Sequence, residues 1–117
     1  MNQLIPFQFD TKEIRIAIDD AGTPWWILSD ICRVLDLSNP SKVADRLKDN
    51  EYATLTFSYT VQEAPKMLAI NEKGLWRLIM RSNKPEAEAL QEWVFGEVLP
   101  TLRKTGSYAM APEVMIP

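Results

Sequence analysis

The spacing of apolar positions changes period several times along the chain. Phe7 and Phe9 alternate with Gln8 and Asp10, and Ile14, Ile16 and Ile18 alternate with Arg15, Ala17 and Asp19. Successive side chains of a strand point to opposite faces, so this alternation predicts two strands, each with one buried face. The link Asp20-Ala21-Gly22-Thr23 is short and polar and leads into a third apolar run, Pro24-Trp25-Trp26-Ile27-Leu28. A meander of three strands is expected.

Helical spacing takes over at Ser29. Ser29 and Asp30 offer an N-cap and a first-turn acid, and Ile31, Val34 and Leu35 share one face of a helix of about two turns. In Ser38-Asn39-Pro40-Ser41 either of the first two residues can cap, and Pro40 suits a first turn. A second short helix should then hold Val43, Ala44 and Leu47 inward and show Lys42, Asp45, Arg46 and Asp49 outward. Alternation returns in Thr54-Leu55-Thr56-Phe57-Ser58-Tyr59, and a strand from Lys66 to Ile70 completes a hairpin. The intervening loop, Thr60 to Pro65, is longer than a tight turn needs and is a candidate mobile or contact element, although a merely solvated connection is the favoured reading.

From Ile70 to Tyr108 the pattern is helical again. Asn71 caps a helix with Leu75, Leu78 and Ile79 on one face, and Ser82-Asn83-Lys84 breaks it. A second helix starts at Pro85 and stops at Gly106, with Glu86 and Glu88 at its positive end and Arg103 and Lys104 at its negative end. Ala87, Leu90, Val94, Val98 and Leu102 follow one face, whereas Trp93, Phe95 and Leu99 widen the apolar arc past a single stripe. Such width predicts burial on two sides, one against the sheet and one against a partner chain or the rest of a longer protein, although a helix deeply embedded in the same domain would give the same pattern. Trp93, Phe95 and Leu99 are therefore candidate partner-interface residues. Pro100 removes a backbone donor and should bend or end the helix. The fold class is α+β: a small antiparallel sheet of about five strands packed with about four helices, the last two forming a C-terminal helical pair.

Composition narrows what such a fold can do. A chain of 117 residues, 46% hydrophobic and with four Trp, supports one core and is too short for two domains of ordinary size. Histidine is absent and Cys32 is the single cysteine, which removes disulfide staples and the usual zinc sites; Cys32 lies in an apolar run and reads as a small buried hydrophobe. No pairing of histidine, cysteine or carboxylates suggests acid-base work, so no catalytic residue, metal or cofactor is expected, and the chain is not expected to be an enzyme. No leader or membrane-length apolar run opens or crosses the sequence, which points to the cytoplasm and away from the membrane.

The 13 basic and 16 acidic residues leave a net charge of −3, so nucleic acid could be held only by a local patch. Lys73, Arg77 and Arg81 recur every fourth residue, Lys84 extends the stripe, and no acid occurs between Lys73 and Pro85. This is the best phosphate- or acid-facing candidate, although a solvated helix face gives the same pattern. The two short helices around Leu37 resemble a helix-turn-helix and add Lys42 and Arg46 as DNA-binding candidates. Ser29 to Asp49 nevertheless balances four basic residues with four acids, as an ordinary helical pair capping a sheet would.

The residues also resemble a family. Ile70-Asn71-Glu72-Lys73-Gly74-Leu75-Trp76-Arg77-Leu78-Ile79, Ser82-Asn83-Lys84-Pro85-Glu86-Ala87, Trp93-Val94-Phe95-Gly96-Glu97-Val98-Leu99-Pro100 and Arg103-Lys104-Thr105-Gly106-Ser107-Tyr108 closely resemble the N-terminal Bro domain. That domain is shared by phage and prophage antirepressors and by repeated-ORF proteins of large insect DNA viruses. Ile14-Arg15, Pro24-Trp25-Trp26, Ser29-Asp30-Ile31-Cys32 and Leu37-Ser38-Asn39-Pro40-Ser41-Lys42 extend the resemblance, which runs from Phe7 to Tyr108. It implies a Bro-N-like domain over 1–108 at the front of a longer regulator, with 109–117 as the start of a linker; Ala111-Pro112 and Pro117 suit that role. It also implies an antirepressor-like module of transcription regulation in a bacterial host cell, with DNA or a repressor protein as partner and a homo-oligomer as a further possibility. The alternative is a protein-interaction module without DNA contact. One departure bears on the choice: a His-bearing segment often found after the second helix is replaced by Leu47-Lys48-Asp49-Asn50-Glu51, which lowers the local basicity.

Overall fold

A computed structural model describes residues 3–56 and 66–105. Five strands, β1 (Gln3–Phe9), β2 (Lys12–Ile18), β3 (Pro24–Ile27), β4 (Tyr52–Thr56) and β5 (Lys66–Ile70), form one antiparallel sheet in the order β1-β2-β3-β5-β4. The register sets Ile5 opposite Ile16, Ile16 opposite Trp26, Trp26 opposite Ile70 and Ile70 opposite Tyr52. One apolar row therefore crosses the whole sheet on a single face, as the alternation in the sequence requires. The opposite face carries a smaller cluster of Ala17, Ile27 and Ala69 under Leu4, Trp25, Leu55 and Met67.

The predicted meander is present and its links are made by short polar residues. Asp10 adopts φ 56° between β1 and β2. At the second link the Asp19 carboxylate accepts the N–H groups of Ala21 and Thr23, both at 2.9 Å, and the indole N–H of Trp25 at 3.0 Å. Gly22 there has φ 84°, a conformation that glycine takes without strain.

Helix α1 (Leu28–Val34) begins directly after β3 without a side-chain cap. Ser29 thus sits inside the first turn instead of capping it, and Asp30 is the expected first-turn acid, buried as an ion-pair partner. Helix α2 (Pro40–Ala44) is a single turn capped by Asn39, whose side chain accepts the Lys42 N–H at 3.4 Å. Val43, Ala44 and Leu47 are buried and Lys42, Asp45, Arg46 and Asp49 are exposed, as predicted. A 3-10 turn at Asp49–Glu51 then leads into β4.

The C-terminal pair consists of α3 (Glu72–Arg81) and a joined helix: α4 (Pro85–Trp93), a π-turn (Val94–Val98) and α5 (Leu99–Thr105). Helix therefore continues past Pro100. A proline lacks the N–H that a normal turn would use and its ring crowds the carbonyl four residues back, and the wider turn just before it accommodates both effects. Within it the Leu99 N–H reaches the Val94 carbonyl, five residues back. The change of period turns Val98, Leu99 and Leu102 inward, to the side that Trp93 and Val94 already face. The wide arc is thus that of a helix embedded in its own domain, which corrects the partner-facing expectation for Trp93 and Leu99. Trp93 and Leu99, 8% and 4% exposed, belong to the core, and the Trp93 ring packs on Phe7 and Phe9 at centroid distances of 6.1 and 5.1 Å.

One main cluster joins the sheet row (Ile14, Ile16, Ile18, Trp26, Ile70) to buried residues of every helix. The predicted strand end at Phe57 to Tyr59, the loop Thr60 to Pro65, the stop at Gly106 and the 109–117 tail lie outside the described residues. Among the described residues no helix is long and apolar enough to cross a membrane.

Candidate functional site

Helix α3 is anchored by three residues spaced one turn apart that all engage the segment before β4. The Asn71 side chain caps α3 by accepting the Gly74 N–H at 2.9 Å, and its amide donates to the Asn50 carbonyl at 2.8 Å. Gly74 packs so closely that a Cβ there would lie 2.8 Å from the Glu51 carbonyl oxygen. Arg77 donates from Nε and Nη2 to the two carboxylate oxygens of Glu51, each at 2.7 Å. Glu51 is fully buried. The Arg77 hydrogen bonds hold its carboxyl at a pKa of about 2 against the opposing effect of burial, helped by the Lys48 N–H and the charges of Arg77 and Lys73.

This arrangement divides the six predicted DNA-binding residues. Arg77 is committed to Glu51, and Lys84 pairs with Asp36 through Nζ at 2.9 Å, a bond that raises the lysine's pKa. Lys73 and Arg81 on α3, and Lys42 and Arg46 on and just after α2, are exposed and form no ion pair among the described residues. The four-residue spacing on α3 is present as predicted, yet its central cation serves the fold.

Of the three predicted partner-interface residues, only Phe95 is at the surface, 55% exposed. It stacks on Trp76 with centroids 4.8 Å apart and ring planes 23° apart. Trp76 donates its indole N–H to Glu72 at 3.2 Å. Beside this stack Met80 is 78% exposed. Trp76 and Met80 together with Lys73, Arg77 and Arg81 line a shallow depression of about 290 Å³ on the outer face of α3. The residues combine an apolar floor with a cationic border. Sequence reasoning missed Trp76 and Met80 because it weighed α3 for its inward face and its charges; their positions beside the cations on the helical wheel were the available signal.

A second buried ion pair lies on the other side of the fold. Asp30 accepts from Arg15 Nε and Nη2 at 2.8 Å each and from the Arg15 backbone N–H at 2.9 Å, with Arg33 at 3.4 Å. The pair fastens α1 to β2 and is structural. Burial pushes the Cys32 thiol up to about 11, only partly offset by the charge of Arg46, so it is protonated and unreactive at neutral pH. Among the described residues no three histidine, cysteine, aspartate or glutamate side chains are grouped to hold a metal ion.

The sequence profile of the BRO family N-terminal domain matches residues 13–100. An uncharacterized protein of Haemophilus influenzae is 37% identical over 111 residues, covering 95% of this chain and 55% of the relative. A Bro-N domain-containing protein of Invertebrate iridescent virus 3 is 51% identical over 45 residues, 38% of this chain and 11% of its own length. An uncharacterized Bro-N domain-containing protein of Autographa californica nuclear polyhedrosis virus is 28% identical over 119 residues, 87% of this chain and 36% of its own length. The chain thus spans about half or less of the length of these curated relatives. No solved structure matches.

Proposed function

This chain belongs to the BRO family, carrying its N-terminal domain, and from that membership we propose that it is a transcription-regulatory module of the phage or prophage antirepressor type. In this reading it forms the front of a longer regulator, works in the cytoplasm of a bacterial host, and contacts DNA without catalysing a reaction. The observation that supports DNA contact is the set of exposed cations Lys42, Arg46, Lys73 and Arg81, which form no ion pair among the described residues of a chain of net charge −3. Unpaired helix-borne cations attract phosphate, whereas paired ones such as Lys84 and Arg77 are largely neutralised. Duplex binding measured across a salt series, with Lys42→Ala/Arg46→Ala compared against Lys73→Ala/Arg81→Ala, tests the reading. Either pair contributes if its removal flattens the salt dependence; no binding at low salt refutes DNA contact.

The exposed Met80 and Phe95, with the half-buried Trp76 on which Phe95 stacks, favour a second reading, in which the module binds a repressor protein instead of DNA. Exposed aromatic and methionine side chains are characteristic of protein-binding surfaces. Capture of a repressor that is insensitive to salt and is lost on Phe95→Asp would decide for it.

A further inference from the structure

The outer surface of the α3–α4 pair has an order of chemistry that makes it complementary to itself. On the far edge of α3 lie Lys73 and Arg81, both exposed, with Arg77 between them and partly neutralised by Glu51. Toward α4 come Trp76 and Met80, and Trp76 is stacked on Phe95 from the π-turn. Beyond Met80 a groove of about 430 Å³ separates the two helices and is bordered on the α4 side by Glu88 and Gln91. Glu92, one turn on from Glu88, is also exposed. Lys84 also lines the groove, at the α3–α4 turn, where it pairs with Asp36. Apart from that paired lysine, the surface runs from basic, through apolar, to acidic.

We propose that this surface binds a second copy of the chain, as a two-fold dimer. A two-fold axis running between the helices, near Met80, lays the α3 cations of each copy over the α4 acids of the other. It also brings the two Met80 side chains and the two Trp76–Phe95 stacks together at the centre. An isologous contact needs a patch that matches its own rotated image, and a basic–apolar–acidic order supplies one. The net acidity of the chain favours this occupant over a basic partner: the charge that Lys73 and Arg81 require is already present on α4. Helix α3 has 10 residues and is about 15 Å long, so the contact falls at the small end of specific interfaces and the dimer exchanges readily with monomer.

The proposal rests on different residues from the DNA reading at its centre, but it shares Lys73 and Arg81. Dimer formation and DNA contact at α3 therefore compete, and the monomer is the form with both cations available. Failure of one proposal leaves the other standing.

Sedimentation equilibrium of the 117-residue protein, with charge-reversed variants, tests the dimer. The wild-type chain should associate reversibly at about 100 μM, more weakly as salt rises. Lys73→Glu/Arg81→Glu turns the surface acidic on both edges, and Glu88→Lys/Glu92→Lys turns it basic on both edges. Each variant alone should be monomeric, and an equimolar mixture of the two should form a heterodimer. Met80→Ser, which removes the apolar centre without adding a charge beside Lys73 and Arg81, should weaken wild-type association at least tenfold while duplex binding stays at least as tight, which separates the dimer from the DNA reading. A wild-type monomer throughout the concentration range, dimers that persist in both charge-reversed variants, or a mixture that fails to associate would each overturn the proposal.

Discussion

Two hydrogen bonds of 2.7 Å tie the guanidinium of Arg77 to the carboxylate of Glu51, which lies 26 residues earlier and is fully buried. Their parallel geometry is the bidentate form in which arginine holds a carboxylate most firmly. Because the pair spans the 3-10 turn before β4 and the middle of α3, it fixes the helix whose outer face carries Lys73, Trp76, Met80 and Arg81.

Removing one member of such a pair strands the other without water or counter-charge. Arg77→Ala should therefore lower Tm by several degrees, with Arg77→Lys intermediate because an ammonium replaces only part of the fork. Any loss of DNA affinity in Arg77→Ala should follow the loss of folded protein, as checked by circular dichroism under the binding conditions.

The same pair gives stability a defined dependence on pH. The folded pKa of Glu51, about 2, lies below its ordinary value of 4.5, so its contribution is fully present above about pH 4.5 and is lost as pH falls toward 2. In Arg77→Ala, burial is left to push the carboxyl up, and the sign reverses: acidification through the carboxylate range should recover part of the lost stability. Urea midpoints measured from pH 6 to pH 2 for both proteins should show the opposite slopes.

Gly74→Ala separates helix propensity from packing. In an open helix interior the change should stabilise by about 1 kcal/mol. Here the added Cβ would meet the Glu51 carbonyl oxygen at 2.8 Å, a backbone atom, so α3 must shift away from the turn. Gly74→Ala should lower Tm, and an unchanged or raised Tm would show that the segment yields freely.

Trp93 and Phe95 should part company on mutation. Trp93→Ala opens a cavity beneath Phe7 and Phe9 and should cost about 3–5 kcal/mol, whereas Phe95→Ala loses mainly the stack on Trp76, about 0.5–1.5 kcal/mol. Chemical denaturation of the two variants checks the ordering.

Those two residues also mark where the chain could and could not be read from its sequence. Period-two alternation at Ile14, Ile16 and Ile18 and the caps at Asn39 and Asn71 are local signals, and strands and helices appear where they point. The arc that includes Trp93 and Leu99 could not be divided between core and partner because a helical wheel assumes one period throughout, and the π-turn at Val94–Val98 shifts the positions after it relative to Trp93. The carboxylates of Glu51 and Asp30 were hidden for a different reason. Their partners, Arg77 and Arg15, are 26 and 15 residues away, and nothing local distinguishes a carboxylate bound for the interior from one facing water. The same long-range pairing separated Arg77 from the cations beside it. Met80 lies beside the cations on the helical wheel, but how much of it stays exposed depends on where α4 packs against α3.

Lys42, Arg46, Lys73 and Arg81 form no ion pair among the described residues, and a salt titration of duplex DNA binding tests their role most directly. Affinity should fall steeply with salt, and the log–log slope should drop by about 0.9 for each contacting cation changed to alanine. Lys84→Ala should leave the slope nearly unchanged, because its charge is held by Asp36. Absence of binding at low salt, or a slope unaltered when all four cations are removed, would contradict the account.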